Sequence, residues 1–179
     1  EPDSELVGEY RAVFNEYVDT ADDRLIVVVG GGATARRYQA AYRAVGQENA
    51  RNDAQDWIGV MATRLNGEFL RHALAPQCAD PVVYDPTGAI EFSGRILVAA
   101  GWKPGFSTDY DAVLLAERFG ADTVINLSNV AHVYSDDPKK NPNAKPLTTV
   151  GWDEFRAIVG EEWIPGKNVP FDPVATRRA

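Results

Sequence analysis

Gly30, Gly31 and Gly32 follow five apolar residues and precede Arg36 and Arg37 in the run LIVVVGGGATARRY, residues 25–38. A strand that breaks on glycine and restarts as a helix leaves unpaired backbone N–H groups at the positive end of the helix. Such a nest binds phosphate. Glycine lets backbone approach the anion and lets φ turn positive, and Arg36 or Arg37 adds a planar, charge-assisted fork for phosphoryl oxygens. The pattern is neither the spaced G-x-G-x-x-G dinucleotide fingerprint nor the Walker G-x-x-x-x-G-K-[ST] loop. Without the arginines, a plain tight turn would explain it equally well.

A second cradle is expected in GWKPGFSTD, residues 101–109. Ser107 and Thr108 offer hydroxyls and backbone N–H groups at a helix start, and Lys103 offers charge. The competing reading is a proline-glycine turn with Ser107, Thr108 or Asp109 as the N-cap. Two cradles in one small domain imply two phosphate-bearing ligands, or one ligand gripped at both ends. A third segment, SNVAHVYSDDPKK (residues 128–140), combines a tyrosine face, an acidic residue and paired lysines. That suits a nucleotide base, ribose and phosphate tail, or simply a solvated loop whose Asp137-Pro138 starts a turn. Asp56 opens an expected helix, as its cap or as an acceptor for sugar hydroxyls; Arg64 and Asn66 on that helix are read as structural. His72, His132 and Cys78 are the only histidines and cysteine, so no metal site is expected.

The elements that must position these groups alternate. Leu6, Tyr10, Phe14 and Tyr17 recur at helical spacing behind Asp3 or Ser4. Leu25–Val29 is a wholly apolar strand, and residues 35–45 form a helix closed by Gly46. Residues 47–55 are polar and loop-like, and Asp56 then begins a helix with Ile58, Ala62, Leu65, Phe69 and Ala73 on its inner stripe. Residues 82–84 and Ile96–Ala100 are strands. Ala112, Leu115, Ala116 and Phe119 line the next helix, and residues 123–127 are a third buried strand. A long polar loop follows over residues 128–146, then a helix at Trp152–Val159 ending on Gly160, and residues 174–179 open another. This order predicts an α/β fold, a three-layer αβα sandwich with a mainly parallel central sheet, in a single domain over all 179 residues. The glycine loops fall at the carboxyl ends of strands, where open sheets of this kind bind ligands.

A formal net charge of −8 leaves no basic footprint for a nucleic-acid polymer or a membrane surface. No run approaches the ~18 apolar residues of a membrane span, and no signal peptide is visible. A single cysteine permits no disulfide within the chain, so a cytoplasmic setting is expected.

In sum the chain resembles the amino-acid-kinase superfamily, and within it the archaeal-type uridylate (UMP) kinases. The resemblance is carried by VVGGGATARRY, by DWIGVMATRLN, by GWKPGFSTDYDAVLLAERFGADTVINLSNV, by VYSDDPKKNPNAKPL and by VPFDPVA, in the family's order across nearly the whole chain. It implies transfer of the γ-phosphoryl of Mg²⁺-ATP to UMP, in pyrimidine nucleotide biosynthesis, by a homo-oligomer, commonly a hexamer. It also implies site roles. Gly31, Asp56, Trp102, Lys103, Pro104, Gly105, Phe106, Ser107 and Thr108 would bind UMP; Gly32, Arg36, Ser128, Asn129, Tyr134 and Asp137 would bind ATP, with Arg36 catalytic. No general base is required, because the acceptor is already a phosphate oxygen. The chain departs from the family in three places: no first strand before Glu1, no further strand and helix after Ala179, and Ala131-His132 where the family has Asp-Gly. A fragment with impaired turnover is therefore expected. The alternatives are a kinase of the same family with another acceptor and a non-catalytic nucleotide-binding or storage protein.

Overall fold

The computed structural model describes residues 3–46, 52–128, 132–138, 140–161 and 169–179. They fall into two compact units, Glu1–Leu115 and Ala116–Ala179.

In the first unit, helix α1 (Ser4–Thr20) is capped by Asp3, whose Oδ1 accepts the Leu6 N–H at 3.0 Å. Strand β1 (Leu25–Val29), helices α2 (Gly32–Gly46) and α3 (Asn52–Ala73), strand β2 (Ile96–Ala100) and the start of α4 (Thr108–Phe119) follow. β1 and β2 pair in parallel, from Leu25 opposite Ile96 to Val29 opposite Ala100. All five residues of β2 are buried, as in a strand covered on both faces. The expected strand at residues 82–84 contributes one bridge, Val83 to Ala99. Alternation along the strands puts Leu25, Val27 and Val29 on the same face as Ile96, Val98 and Ala100. There they pack with Val18 of α1, Leu70 of α3, and Leu74, Cys78 and Val82. The parallel sheet with packed helices makes the fold α/β, as expected.

The helix faces differ from the expected ones. α3 starts at Asn52, so residues 52–55 are helical rather than loop, and Asp56 lies past the first turn. It is therefore not the cap; residues 47–51 are outside the described set. The buried line of α3 is Val60, Ala62, Thr63, Gly67 and Leu70, whereas Leu65 and Phe69 are 65% and 44% exposed. Close approach explains the exchange: a Cβ at Gly67 would come 3.3 Å from the Ala100 Cβ, so the sheet-facing side takes small residues. On α4 the buried residues are Asp111, Val113 and Leu115, and of the expected stripe only Leu115 is among them.

The second unit holds a small antiparallel ribbon, β3 (Val133–Tyr134) against β4 (Pro146–Leu147), inside the expected polar loop. Helix α5 (Trp152–Val159) ends on Gly160 at φ 84°. Helix α6 (Pro173–Arg178) is capped by Asp172, whose Oδ1 accepts the Ala175 N–H at 2.7 Å. Residues 123–127 are not the expected buried strand. Ile125 and Leu127 are 75% and 60% exposed, and among the described residues no strand pairs with them. An apolar run becomes a strand only when a neighbour completes its ladder.

Candidate functional site

The glycine triplet leaves β1 and enters α2 directly. Gly32 has φ 57°, a left-handed turn open to glycine, and the Ala35 N–H donates to the Gly31 carbonyl at 3.0 Å. Gly31 has no room for a side chain, since a Cβ there would lie 2.5 Å from the Ala35 Cβ and 3.4 Å from the Gly59 carbonyl of α3. Arg36 and Arg37 stand exposed in the first turns of α2, without a hydrogen-bond or ion-pair partner among the described residues.

The second loop leaves β2 beside the first. A Cβ built at Gly30 would lie 3.9 Å from the Thr108 Oγ1, so the two turns meet. Ser107 is the cap of α4: its Oγ accepts the Tyr110 N–H at 3.2 Å and its carbonyl accepts the Asp111 N–H at 3.1 Å. Gly105 has φ 85°, and Lys103 lies with Nζ 3.8 Å from the centre of the Trp102 ring and 5.2 Å from that of Phe106. Its charge is thus held against aromatic faces.

One helix face of α3 holds both turns. The Asp56 Oδ2 accepts the Gly105 N–H at 3.2 Å. The Thr63 Oγ1 accepts the Gly101 N–H at 2.8 Å and donates to the Val60 carbonyl at 2.6 Å. The Arg64 Nη2 donates to the Trp102 carbonyl at 2.8 Å while its guanidinium stacks 4.6 Å from the Tyr84 ring. The Asn66 Nδ2 donates to the Gly30 carbonyl at 2.9 Å. Arg64 and Asn66 are structural as expected, and the structure they hold is that of the two turns. Sequence reasoning missed Thr63; its signal is a polar β-branched residue in the small-residue line that ends at Gly67. It also missed Asp111, which is 1% exposed. The Asp111 Oδ2 accepts the Trp102 N–H at 3.1 Å. Burial pushes its carboxyl up to about 6, the Trp102 N–H pulls it down, and the nearby Asp85 charge adds to the rise.

The remaining expected residues belong to the second unit. Ser128 is exposed, Tyr134 is half-buried in β3, and Asn129 lies outside the described residues. The Asp137 carbonyl accepts the N–H groups of Lys140 and Asn141 at 3.0 and 2.8 Å, and its Oδ2 is 3.8 Å from the Lys140 Nζ. No group of three or more His, Cys, Asp or Glu among the described residues could hold a metal.

Residues 3–179 match the family model described as the amino acid kinase family. A uridylate kinase of Pyrobaculum neutrophilum is 42% identical over 169 residues, covering 92% of this chain and 73% of that protein. One from Methanospirillum hungatei is 40% identical over 161 residues, covering 88% and 67%. Among solved structures, the uridylate kinase of Archaeoglobus fulgidus superposes with a TM-score of 0.84 at 36% identity, over 99% of this chain and 79% of that one. A UMP kinase from Bacillus anthracis shares the fold, with a TM-score of 0.71 at 20% identity, over 99% and 75%. With the family model spanning both glycine turns and the helix that braces them, the chain belongs to the amino acid kinase family.

Proposed function

We propose that this chain is a uridylate kinase, transferring the γ-phosphoryl of ATP to UMP to give UDP and ADP. One observation supports the reading: the glycine turn after β1 and the loop after β2 meet at Gly30 and Thr108, in a chain 42% identical to a protein named uridylate kinase. Gly31, Asp56 and the loop of Trp102, Lys103, Pro104, Gly105, Phe106, Ser107 and Thr108 bind UMP. In this reading the Asp56 carboxylate keeps lone pairs for sugar hydroxyls after accepting the Gly105 N–H. Gly32, Arg36, Ser128, Asn129, Tyr134 and Asp137 bind ATP.

Phosphoryl transfer asks for alignment and for neutralised charge on the transferring group, with little covalent chemistry by the protein. Arg36, free of partners among the described residues, supplies a guanidinium to the phosphoryl oxygens, and the N–H groups of the glycine turn supply fixed dipoles. Mg²⁺ supplied with ATP would add to this by neutralising charge on the transferring group. The family reading extends to pyrimidine nucleotide synthesis in the cytoplasm and to a homo-oligomer, a hexamer.

The test is product formation from Mg²⁺-ATP offered with UMP, CMP, AMP and N-acetylglutamate. UDP alone is the expected product. Product from another acceptor would reassign the substrate, and UMP binding without any product would make the chain a binding protein.

A further inference from the structure

We propose that Asp111 is a positioning residue for the acceptor loop, fixing the backbone at Trp102 through a hydrogen bond whose strength changes with the proton on its buried carboxyl. The assignment of that loop to the acceptor rests on the uridylate kinase reading; the Asp111–Trp102 link does not.

The geometry is unusual for a carboxylate. Asp111 is 1% exposed, yet its Oδ1 has no hydrogen-bond partner among the described residues, where buried polar groups are normally satisfied. Its Oδ2 reaches back across the first turn of α4 to the Trp102 N–H at 3.1 Å. Trp102 follows Gly101, whose N–H is already held by Thr63, and its carbonyl is held by Arg64 at 2.8 Å. The peptide at the root of the loop is therefore clamped from both sides, from α3 by Thr63 and Arg64 and from α4 by Asp111. Thr63 carries no titratable group and Arg64 stays charged, so Asp111 is the only member of this clamp that can change its charge. The ionised group facing it is Asp85, in the turn where Asp85 accepts the Thr87 N–H and hydroxyl at 2.8 and 2.6 Å. A like charge and burial favour the proton, while the Trp102 N–H favours the anion. The balance falls at about 6. Ionised, Asp111 makes a charge-assisted bond about twice as strong as a neutral one. Protonated, it loosens the root of the loop.

Asparagine keeps the carbonyl acceptor and cannot titrate, so Asp111→Asn isolates the proton. In ¹H–¹⁵N spectra between pH 5 and 8 the Trp102 amide should titrate in the wild type and stay fixed in Asp111→Asn. The consequence for turnover is a KM effect. Asp111→Asn should raise the acceptor KM about 3- to 10-fold at pH 8, with the ratio to wild type falling to about 1 at pH 5 and kcat within about 2-fold. The UMP phosphate titrates in the same range, but equally for both proteins, so the ratio is the readout. If Asp111→Asn does not fold, Asp85→Asn serves: removing the like charge should move the Trp102 midpoint to lower pH. A Trp102 amide that does not titrate, a pH-independent KM ratio, or a loss confined to kcat overturns the proposal. A titrating amide in a protein that makes no UDP overturns the uridylate kinase reading instead and leaves the Asp111–Trp102 link standing.

Discussion

The Thr63 hydroxyl on α3 accepts the Gly101 N–H at 2.8 Å while donating to the Val60 carbonyl at 2.6 Å. Both functions of one hydroxyl are used inside the fold, at the point where β2 turns into the loop of residues 101–108. Thr63→Val keeps the shape and deletes the acceptor, leaving a buried N–H unpaired. A loss of about 1–3 kcal/mol in urea unfolding is expected, with Thr63→Ser close to wild type. Equal losses in both variants would mean that packing of the methyl group, and not the hydrogen bond, holds the turn.

Gly31 and Gly105 are glycines for different reasons, and alanine separates them. At Gly31 the new Cβ would sit 2.5 Å from the Ala35 Cβ, so Gly31→Ala should cost about 1–3 kcal/mol through overpacking. At Gly105 there is open space, but φ is 85°; Gly105→Ala should cost about 1–2 kcal/mol through backbone strain alone. Thermal melts read both, and Gly105→Ala should raise the acceptor KM more than it lowers the melting temperature.

Arg36 is exposed and makes no hydrogen bond or ion pair among the described residues, so its removal should spare stability and hit chemistry. Arg36→Ala is expected to lower kcat about 10²- to 10³-fold while unfolding within about 0.5 kcal/mol of wild type. A large stability loss would assign the guanidinium a structural task.

Asp80 gives the fold an acid-sensitive joint. It is buried, and its carboxylate accepts the Ser93 N–H at 2.8 Å, the Ser93 hydroxyl at 2.6 Å and the Gly94 N–H at 2.9 Å. The Gly94 and Ser93 bonds hold its carboxyl below the ordinary value of 3.8. A lowered folded value means the contribution is present above the unfolded pKa and is lost as pH falls through the folded one. Asp80→Ala should therefore cost about 1–3 kcal/mol at pH 7, and the gap to wild type should close below pH ~4. A gap independent of pH would show that the charge is irrelevant.

Asp111 runs in the opposite sense. Its folded carboxyl is raised from 3.8 to about 6, so between those values the folded state keeps a proton that the unfolded chain has lost. Stability falls across that window as pH rises, and the cost is complete above it. Asp111→Asn should match wild type near pH ~4 and exceed it at pH ~8 by on the order of 2 kcal/mol. Urea midpoints at the two pH values decide it; a variant less stable at pH 8 would reverse the sign.

What could be read from the sequence followed from how local the cause was. The β1–glycine–α2 turn, Ser107 as one of the candidate caps and Gly160 as a helix stop depend on neighbours within a few residues, and propensity and periodicity reach that far. Leu65 and Phe69 misled because hydrophobicity was read as burial, whereas the sheet-facing side of α3 admits Gly67 and Thr63 instead. Residues 123–127 misled because a strand is a property of pairs. Asp111 was invisible for a similar reason: an acidic residue in a first helical turn reads as a dipole partner, and only the tertiary path of Trp102 makes it a buried acceptor. Asp56 was read as a helix cap, a position it does not hold; the N–H it accepts belongs to Gly105, 49 residues away.

The pairing of Val29 with Ala100 has an evolutionary corollary. Gly30 and Gly101 each follow the last paired residue of its strand, so the two turns depart the sheet one strand spacing apart, about 4.8 Å. Main-chain hydrogen bonds set that gap, and side-chain identity in β1 does not enter it. An exchange among valine, isoleucine and leucine in β1 leaves that gap in place, whereas a one-residue insertion or deletion in either strand shifts one turn past the other by about 3.3 Å and turns its side chains to the opposite face. Strand length, more than strand composition, is where selection on this chain should be strictest.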